Sequence, residues 1–262
     1  TLTPPTGKVF SSWSTSFSNV TGALTVTAIY SDATYTVTFD LGGGTHTGGG
    51  ALSQTVTHGG AATAPTLTPP TGKVFSSWST SFSSVTSNLT VTAVYTDATY
   101  TVTFNLDGGT RTGGGALSQT VTHGGAATAP TLTPPTGKVF SRWSTSFSSV
   151  TSNLTVTAQY EVVKLTVEVV SSAGGQVTPS GNQTVNYGAE LVLQLTADAG
   201  FTTIVPQTTC PISTSGSRVV VGPVTQNCRF EARFAELLKL QELDGSTFVN
   251  KTLKPSQLGT FK

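Results

Sequence analysis

Few residues in this chain have side chains that could bind a metal ion, and their spacing is unfavourable. The three histidines are His46, His58 and His123, and the last two occupy equivalent places in two VTHGG segments. A zinc site needs about four ligands around one ion, which one histidine per segment cannot supply, although a site between molecules is an alternative. We interpret these histidines as residues of strand ends or turns, and we predict no metal-binding and no cofactor-binding residue.

The carboxylates and the glycine-rich segments also lack the pattern of an enzyme. Asp40 becomes Asn105 in the next copy of the repeat described below, whereas a catalytic carboxylate pair would be expected to persist between modules of one array. The segment GGGTHTGGG at 42–50 lacks the Gly-Lys-Ser/Thr ending of a phosphate-binding loop, and it predicts a turn or a mobile loop. We therefore predict no catalytic residue and no enzymatic activity.

Three tryptophans recur at equivalent positions, and two roles are open to them. Trp13, Trp78 and Trp143 could stack on sugar rings if they were exposed along one face. In a small module, however, aromatic side chains supply much of the available buried area. We predict that all three are structural core residues, and carbohydrate binding is the alternative.

The only cysteines are Cys210 and Cys228, and no histidine follows residue 123 to complete a zinc set with them. We predict a disulfide between them. In the chain-entropy model it would contribute about 3 kcal/mol to stability, and it would indicate an oxidising compartment. Two free buried thiols are the alternative.

Charge and hydropathy argue against two classes of partner. Only 10% of the residues are charged and the formal net charge is +1, so the chain has no basic patch for nucleic acid. No segment approaches the roughly 18 apolar residues of a membrane span, and the first residues lack the features of a signal peptide. We predict no nucleic-acid partner and no membrane span in this segment, and we expect a soluble chain that, if secreted, has already been processed.

A tandem repeat dominates the sequence. Residues 1–65 align with 66–130 with eight differences, and residues 131–160 repeat 66–95 with two. Such self-similarity indicates an array of small modules. We divide the chain into the second half of a module at 1–30, complete modules at 35–95 and 100–160 joined by a polar linker TDAT, a distinct β-rich module with a disulfide at 164–235, and a tail at 236–262.

Alternation of residue types predicts the strands of each module. YTVTF and LTVTAVY alternate threonine with β-branched or aromatic residues, as half-buried strands do, and ALSQTVTH and GKVFSSWS are further strands. APTLTPPTG is excluded from a central strand by its prolines. The predicted fold is mainly β, with tandem small modules in an elongated array and at most short helices.

These segments resemble the Listeria-Bacteroides repeat, the internalin B-repeat type, of bacterial surface proteins. The resemblance rests on YTVTFDLGGGT, then QTVTHGGAATAPTLTPPTGKVFSSWST, then LTVTAVY, and it covers residues 1–160 with the first copy partial. It implies a compact β-grasp-like module. Residues 164–234 are similar to another bacterial extracellular repeat with a GG-x-V-x-P-x-G turn. Both resemblances imply architectural or adhesive roles and no catalytic residues.

The half module at 1–30 suggests an open sheet edge that another subunit could fill, because an unpaired edge accepts a foreign strand. The tail segment STFVNKTL, with Thr247, Phe248 and Val249, is a possible donor strand. Its alternative role is the beginning of a further domain, and the alternative for the half module is that the chain is part of a longer array.

The predicted function is that of a structural or adhesive tandem-repeat segment of a secreted bacterial surface or filament protein, which acts outside the cell as a stalk or fibre subunit. The predicted partners are copies of the chain, neighbouring modules, a surface glycan or a host receptor. A carbohydrate- or receptor-binding adhesin module and an accessory region of a secreted hydrolase are the alternatives.

Overall fold

The computed structural model describes the backbone of residues 1–244 and 247–253. Within these residues the chain forms strands and no helix, which confirms the mainly β class and its small sheets in tandem. The strands are β1 (Lys8–Trp13), β2 (Ala28–Asp32), β3 (Thr34–Asp40), β4 (Thr45–Gly49), β5 (Ser53–Thr57), β6 (Pro65–Thr68), β7 (Lys73–Trp78), β8 (Leu89–Asp97), β9 (Thr99–Asn105), β10 (Thr110–Gly114), β11 (Ser118–Thr122), β12 (Pro130–Thr133), β13 (Lys138–Trp143), β14 (Leu154–Val162), β15 (Lys164–Ser171), β16 (Gly175–Thr178), β17 (Gly181–Asn186), β18 (Leu191–Ala197), β19 (Phe201–Thr208), β20 (Ile212–Ser215), β21 (Arg218–Val221), β22 (Cys228–Glu236), β23 (Leu238–Asp244) and β24 (Thr247–Leu253).

The first complete repeat is built on a four-stranded sheet in the order β5-β3-β8-β7. β3 pairs antiparallel with β5 and parallel with β8, and β7 pairs antiparallel with β8. Successive side chains of a strand point to opposite faces, so the alternating sequence YTVTF buries one face and exposes its threonines. The buried core of this repeat is Val37, Phe39, Val56, Val85 and Val91.

The glycine-rich segment, which was predicted as a turn or a mobile loop, pairs with the proline-rich segment, which was excluded only from a central strand. β4 lies in the glycine-rich segment and β6 in the proline-rich segment, and together they form a two-stranded antiparallel sheet with a register shift between His46 and Gly48. The prediction of a mobile glycine loop is therefore wrong. Gly49 has a φ of +70°, and a Cβ there would lie 2.7 Å from the carbonyl oxygen of Ala64. Glycine is required because the two backbones approach so closely.

The second complete repeat has the same elements. Its four-stranded sheet contains β9, β11, β13 and β14, and β10 pairs with β12. The residues equivalent to the first core are again buried, namely Val102, Phe104, Val121, Val150 and Val156. The repeated sequence therefore gives the same burial pattern twice.

Residues 1–32 form only the strand pair β1 and β2. β2 begins at Ala28, whereas the equivalent strands β8 and β14 begin at Leu89 and Leu154, positions that correspond to Leu24. The four residues that β2 lacks are equivalent to Leu89–Thr92 of β8, and the stretch from Leu89 to Thr92 is the part of β8 that pairs with β3.

The module after the repeats consists of two four-stranded sheets, β17-β15-β22-β19 and β16-β18-β21-β20. The first has the strand order of the complete repeat, with β15 antiparallel to β17 and parallel to β22. The second contains the hairpin of β20 and β21, which has no counterpart in the repeats. Its core is larger and centres on Phe230 and Leu193, both fully buried. This distinct module is therefore an enlarged relative of the repeat fold.

The tail forms the antiparallel hairpin of β23 and β24. Thr247, Phe248 and Val249 begin β24, where their backbone pairs with β23, and their side chains lie outside the described part of the structure. Donation of this strand to another subunit stays a prediction. Among the described residues, no helix has the length and the apolar run that a membrane crossing needs.

Two compact units make up the chain. One comprises residues 1–103, 115–129 and 146–155, and the other comprises residues 104–114, 130–145 and the described residues from 156 onward. Each has its own hydrophobic core.

Candidate functional site at the joints between repeats

Each repeat is joined to the next by a single residue between two strands. Ala33 separates β2 from β3, Ala98 separates β8 from β9, and Val163 separates β14 from β15. Ala33 and Ala98 are buried, and Val163 is half-buried. The predicted polar linker TDAT, and the equivalent SDAT at 31–34, thus consist of strand ends around one enclosed residue. We call each such residue with its hydrogen-bond partners a joint.

Two backbone hydrogen bonds hold the first joint. The amide of Ala33 donates to the carbonyl of Gly7 at 2.9 Å, and the amide of His58 donates to the carbonyl of Ala33 at 2.8 Å. Gly7 belongs to one repeat and His58 to the next, so the joint residue bridges the two. A buried peptide group must find partners, and here the partners come from both sides.

The same pair of bonds recurs at the other two joints. At the second joint the amide of Ala98 donates to the carbonyl of Gly72 at 2.9 Å, and the amide of His123 donates to the carbonyl of Ala98 at 2.8 Å. At the third joint the amide of Val163 donates to the carbonyl of Gly137 at 2.9 Å, and the amide of Tyr187 donates to the carbonyl of Val163 at 2.8 Å. The third joint leads into the enlarged module, so the connection is retained where the repeat sequence ends.

An aromatic ring packs against the glycine of every joint. Gly72 has a φ of +75°, and a Cβ on it would lie 2.5 Å from Cδ2 of His123. Gly7 meets His58 in the same way, and Gly137 meets the ring of Tyr187. Glycine is needed at these positions for its left-handed backbone and for the space that the ring occupies.

The histidines predicted to lie at strand ends do so, directly after β5 and β11. The Nδ1 atom of His58 is buried without a hydrogen-bond partner, and Nδ1 of His123 lies 3.4 Å from the hydroxyl of Tyr100. His46 lies in β4, and its Nε2 is 3.1 Å from the carbonyl oxygen of Gly50. Sequence reasoning missed the joint role of His58 and His123. Tyr187 in VNYGA, at the place of histidine in VTHGG, was the signal for it.

An ion pair spans the strand pair beside two of the joints. Nζ of Lys8 lies 2.6 Å from Oδ1 of Asp32, and Nζ of Lys73 lies 2.6 Å from Oδ1 of Asp97. Their side chains are exposed, so solvent screens the attraction and such pairs contribute little to stability. The hydrogen bond and charge of Lys73 hold the pKa of Asp97 below its ordinary value. At the third joint Val162 takes the place of the carboxylate opposite Lys138.

The tryptophans lie at the edge of the cores. Trp78 is half-buried against the core of its repeat, with its ring 5.1 Å from that of Phe39, and Trp143 is half-buried 5.1 Å from the ring of Phe104. Trp13 is 41% exposed, so the prediction of a core position is wrong for this residue. Burial of the tryptophan requires a β3 strand on the opposite side, and residues 1–32 contain only β1 and β2.

The predicted disulfide between Cys210 and Cys228 is confirmed. Cys210 is buried, and Cys228 is the first residue of β22. The bond fastens the segment after β19 to the central strand pair of the enlarged module. No free cysteine occurs in the described structure.

Comparison with known protein families identifies two segments. The model of the Listeria-Bacteroides repeat domain matches residues 35–99 and 100–167, which together make up just over half of the chain. No match was found among curated proteins or among solved structures. The two matched segments begin at Tyr35 and Tyr100, the second residues of β3 and β9 and two residues after the joints, and the chain belongs to the Listeria-Bacteroides repeat family.

Proposed function

We propose that this chain is a load-bearing spacer, a non-catalytic stalk or fibre segment of a secreted bacterial surface or filament protein. Membership of the repeat family and the disulfide are consistent with an extracellular protein. The proposal is supported by the way in which each module could carry tension and by the way in which one module is joined to the next.

The observation that carries the proposal is the pairing of the first and last strands of a repeat. β3 and β8 are parallel neighbours, with Val37 opposite Leu89 and Asp40 opposite Thr92. Tension on the chain pulls the start of β3 and the end of β8 in opposite directions along the strands. All the hydrogen bonds of the pair, which are evenly spaced in a parallel ladder, then resist sliding together. β15 and β22 of the enlarged module have the same parallel arrangement.

The joints would transmit this tension without slack. A flexible linker stretches at low force because it gains extension from disordered residues. Here one residue separates consecutive modules, and its amide and carbonyl are both bonded to neighbouring modules. Force applied to one repeat therefore reaches the terminal strand of the next.

An adhesin would be favoured by tryptophan or tyrosine residues exposed at equivalent places along the array. In the complete repeats Trp78 and Trp143 are half-buried, and the hydroxyl of Tyr95 donates to the carbonyl of Leu41 at 2.6 Å. These aromatics serve the cores, which supports the spacer over a glycan- or receptor-binding module. For an accessory region of a secreted hydrolase, no observation in the structure adds support.

The test is single-molecule stretching of the full chain from two pairs of attachment points. Handles at Thr34 and Asp97 load the strand pair in shear, because they lie at the start of β3 and the end of β8. Handles at Thr34 and the exposed Ser87 load the same repeat from the starts of both strands, so its bonds open one after another. We expect the first geometry to need the higher rupture force. Equal forces in both geometries would remove the load-bearing role.

A further inference from the structure

The two complete repeats are almost identical, and the few positions at which they differ are unevenly placed. Residues 35–95 and 100–160 differ at five positions, which in the second repeat are Asn105, Asp107, Arg111, Arg142 and Gln159. Directly after the second repeat, Glu161 stands where the first repeat is followed by Thr96. Any function that the second repeat has and the first lacks must come from these side chains.

Two of the replacements keep a contact that the first repeat already makes. The side chain of Asn105 accepts a hydrogen bond from the amide two residues further on, as Asp40 does in the first repeat. The guanidinium of Arg111 donates to a carbonyl at the end of β10, and His46 contacts a carbonyl just after β4. These two replacements therefore preserve the module.

The other three replacements gather in one groove together with Glu161. The groove has a volume of about 610 Å³ and lies beside the strand pair β13 and β14, and its polar lining includes Asp107, Ser141, Arg142, Gln159 and Glu161. The first repeat has at the equivalent positions, in the same order, Gly42, Ser76, Ser77, Val94 and Thr96. None of these is charged. We call the groove of the second repeat the polar groove.

Hydrogen bonds within the polar groove fix the direction of its side chains. Nε of Arg142 donates to Oε1 of Gln159 at 2.7 Å, and the hydroxyl of Ser141 donates to Oε1 of Glu161 at 2.7 Å. All four side chains are exposed. The guanidinium and the amide have further N–H groups, and the carboxylate has further lone pairs, with which a ligand can bond.

Tyr160 adds an aromatic ring to the polar groove. Its hydroxyl donates to the carbonyl of Leu106 at 2.5 Å, which holds the ring in place. Burial and, to a smaller extent, the charge of Asp107 raise the pKa of this hydroxyl, so the phenol is neutral and the Asp107 carboxylate lies near it. The polar groove thus combines a fixed ring with hydrogen-bond donors and acceptors.

The composition of the polar groove selects a class of ligand. One guanidinium beside two carboxylates gives no net positive charge to attract an anion, and among the described residues no group of three or more His, Cys, Asp or Glu side chains could hold a metal ion. Apolar ligands need a predominantly apolar lining. A sugar fits, because each of its hydroxyls both donates and accepts, as a serine hydroxyl does. Neighbouring hydroxyls therefore match neighbouring N–H groups and carboxylates.

We propose that the polar groove of the second complete repeat binds a neutral oligosaccharide, whose hydroxyls bond to Arg142, Gln159 and the carboxylates of Asp107 and Glu161. The first repeat has the same fold without this site. The inference goes beyond the spacer role, because it gives the stalk an attachment point and does not require that the chain bear load. It also differs from the adhesin considered above, which relies on aromatic residues exposed at equivalent places along the array.

The test is a microarray of neutral and charged oligosaccharides, probed with the full chain coupled to fluorescent beads so that weak sites act together. We expect binding to a subset of the neutral glycans. The polar groove is then reverted to the residues of the first repeat by Asp107→Gly, Arg142→Ser, Gln159→Val and Glu161→Thr. Binding should weaken at least about tenfold, whereas the fold is retained, because the first repeat forms the same sheet with these residues.

Two further variants complete the test. Asn105→Asp with Arg111→His reverts the two replacements that lie outside the polar groove, and it should leave binding unchanged. The polar groove is transferred to the first repeat by Gly42→Asp, Ser77→Arg, Val94→Gln and Thr96→Glu. Calorimetric titration with a glycan that the microarray identifies should then find a second site on each chain.

Four results would overturn the proposal. They are the absence of binding to any glycan, binding to charged glycans alone, equal binding by the reverted chain, and a transferred groove that adds no second site. The force measurement on residues 34–97 involves no residue of the polar groove. Failure of one proposal is therefore distinguishable from failure of the other.

Discussion

The imidazole ring of His58 lies against Gly7 of the preceding repeat, so closely that a Cβ on the glycine would be 2.5 Å from Cδ2 of the ring. The backbones of the same two residues are linked through Ala33, which donates to Gly7 and accepts from His58. Side-chain packing and backbone hydrogen bonding thus both connect Gly7 with His58. The position of one repeat against the next depends on residues far apart in sequence.

The joint glycines are predicted to tolerate no side chain. Gly72→Ala should lower the local free energy of opening at the second joint by about 1 kcal/mol for the left-handed backbone and by a further 1–3 kcal/mol, roughly, for crowding against His123. Hydrogen exchange of the Ala98 amide, which donates to Gly72, would measure the change.

Gly124→Ala is the matched control for this substitution. Gly124 has the same φ of +75° and nothing within 4 Å of the added Cβ. The substitution should therefore show only the cost of the left-handed backbone, without the cost of crowding. Equal effects of the two substitutions would show that the His123 ring yields and that packing does not hold the joint.

Sequence reasoning reached the strands that alternate and failed where burial or pairing depends on a distant partner. YTVTF predicts β3 because its period of two is complete within a few residues. GGGTHTGGG and APTLTPPTG each lack such a period, and they become β4 and β6 only because each supplies the other with hydrogen-bond partners. Local propensity could not show that pairing.

The tryptophans and the joints illustrate the same limit. Trp13 and Trp78 lie in identical segments, KVFSSWS, yet one is exposed and the other half-buried. The difference lies in β3, which is elsewhere in the chain. The joint role of His58 likewise depends on Gly7, and the spacing within VTHGG carries no information about it.

The hydroxyl of Tyr95 is predicted to stabilise the complete repeat. It donates to the carbonyl of Leu41 at 2.6 Å, so Tyr95→Phe leaves that carbonyl without this bond and should lower the free energy of opening by about 1 kcal/mol. Native-state hydrogen exchange at the amides of β8 would detect this. Tyr30→Phe is the control, since residues 1–32 include no counterpart of Leu41, and it should have no effect. A comparable loss of stability in both variants would show that the effect does not come from the hydrogen bond to Leu41.

Loss of the disulfide is predicted to act on the enlarged module alone. The bond closes a sequence separation of 18 residues, and its removal by Cys210→Ala with Cys228→Ala should cost about 3 kcal/mol. Exchange of the buried amides in β15 and β22 would measure the loss. All three tryptophans precede residue 144, so their fluorescence reports the unfolding of the repeats. The midpoint of that transition should be unchanged. A shift of the tryptophan transition would contradict the independence of the repeats from this bond.

The ion pair of Lys73 and Asp97 is predicted to give a small pH dependence. Because Lys73 holds the pKa of Asp97 below its ordinary value through a hydrogen bond and its charge, the stabilisation is present above the unfolded-state pKa and is lost as the pH falls through the lower, folded-state pKa. An NMR titration of the Asp97 carboxyl carbon should show the lowered midpoint, and Lys73→Gln or high salt should raise it. Lys138→Gln is the control, since Val162 faces Lys138, and it should leave the Asp97 midpoint in place. An Asp97 midpoint that Lys73→Gln does not move would show that the pair is not formed in solution.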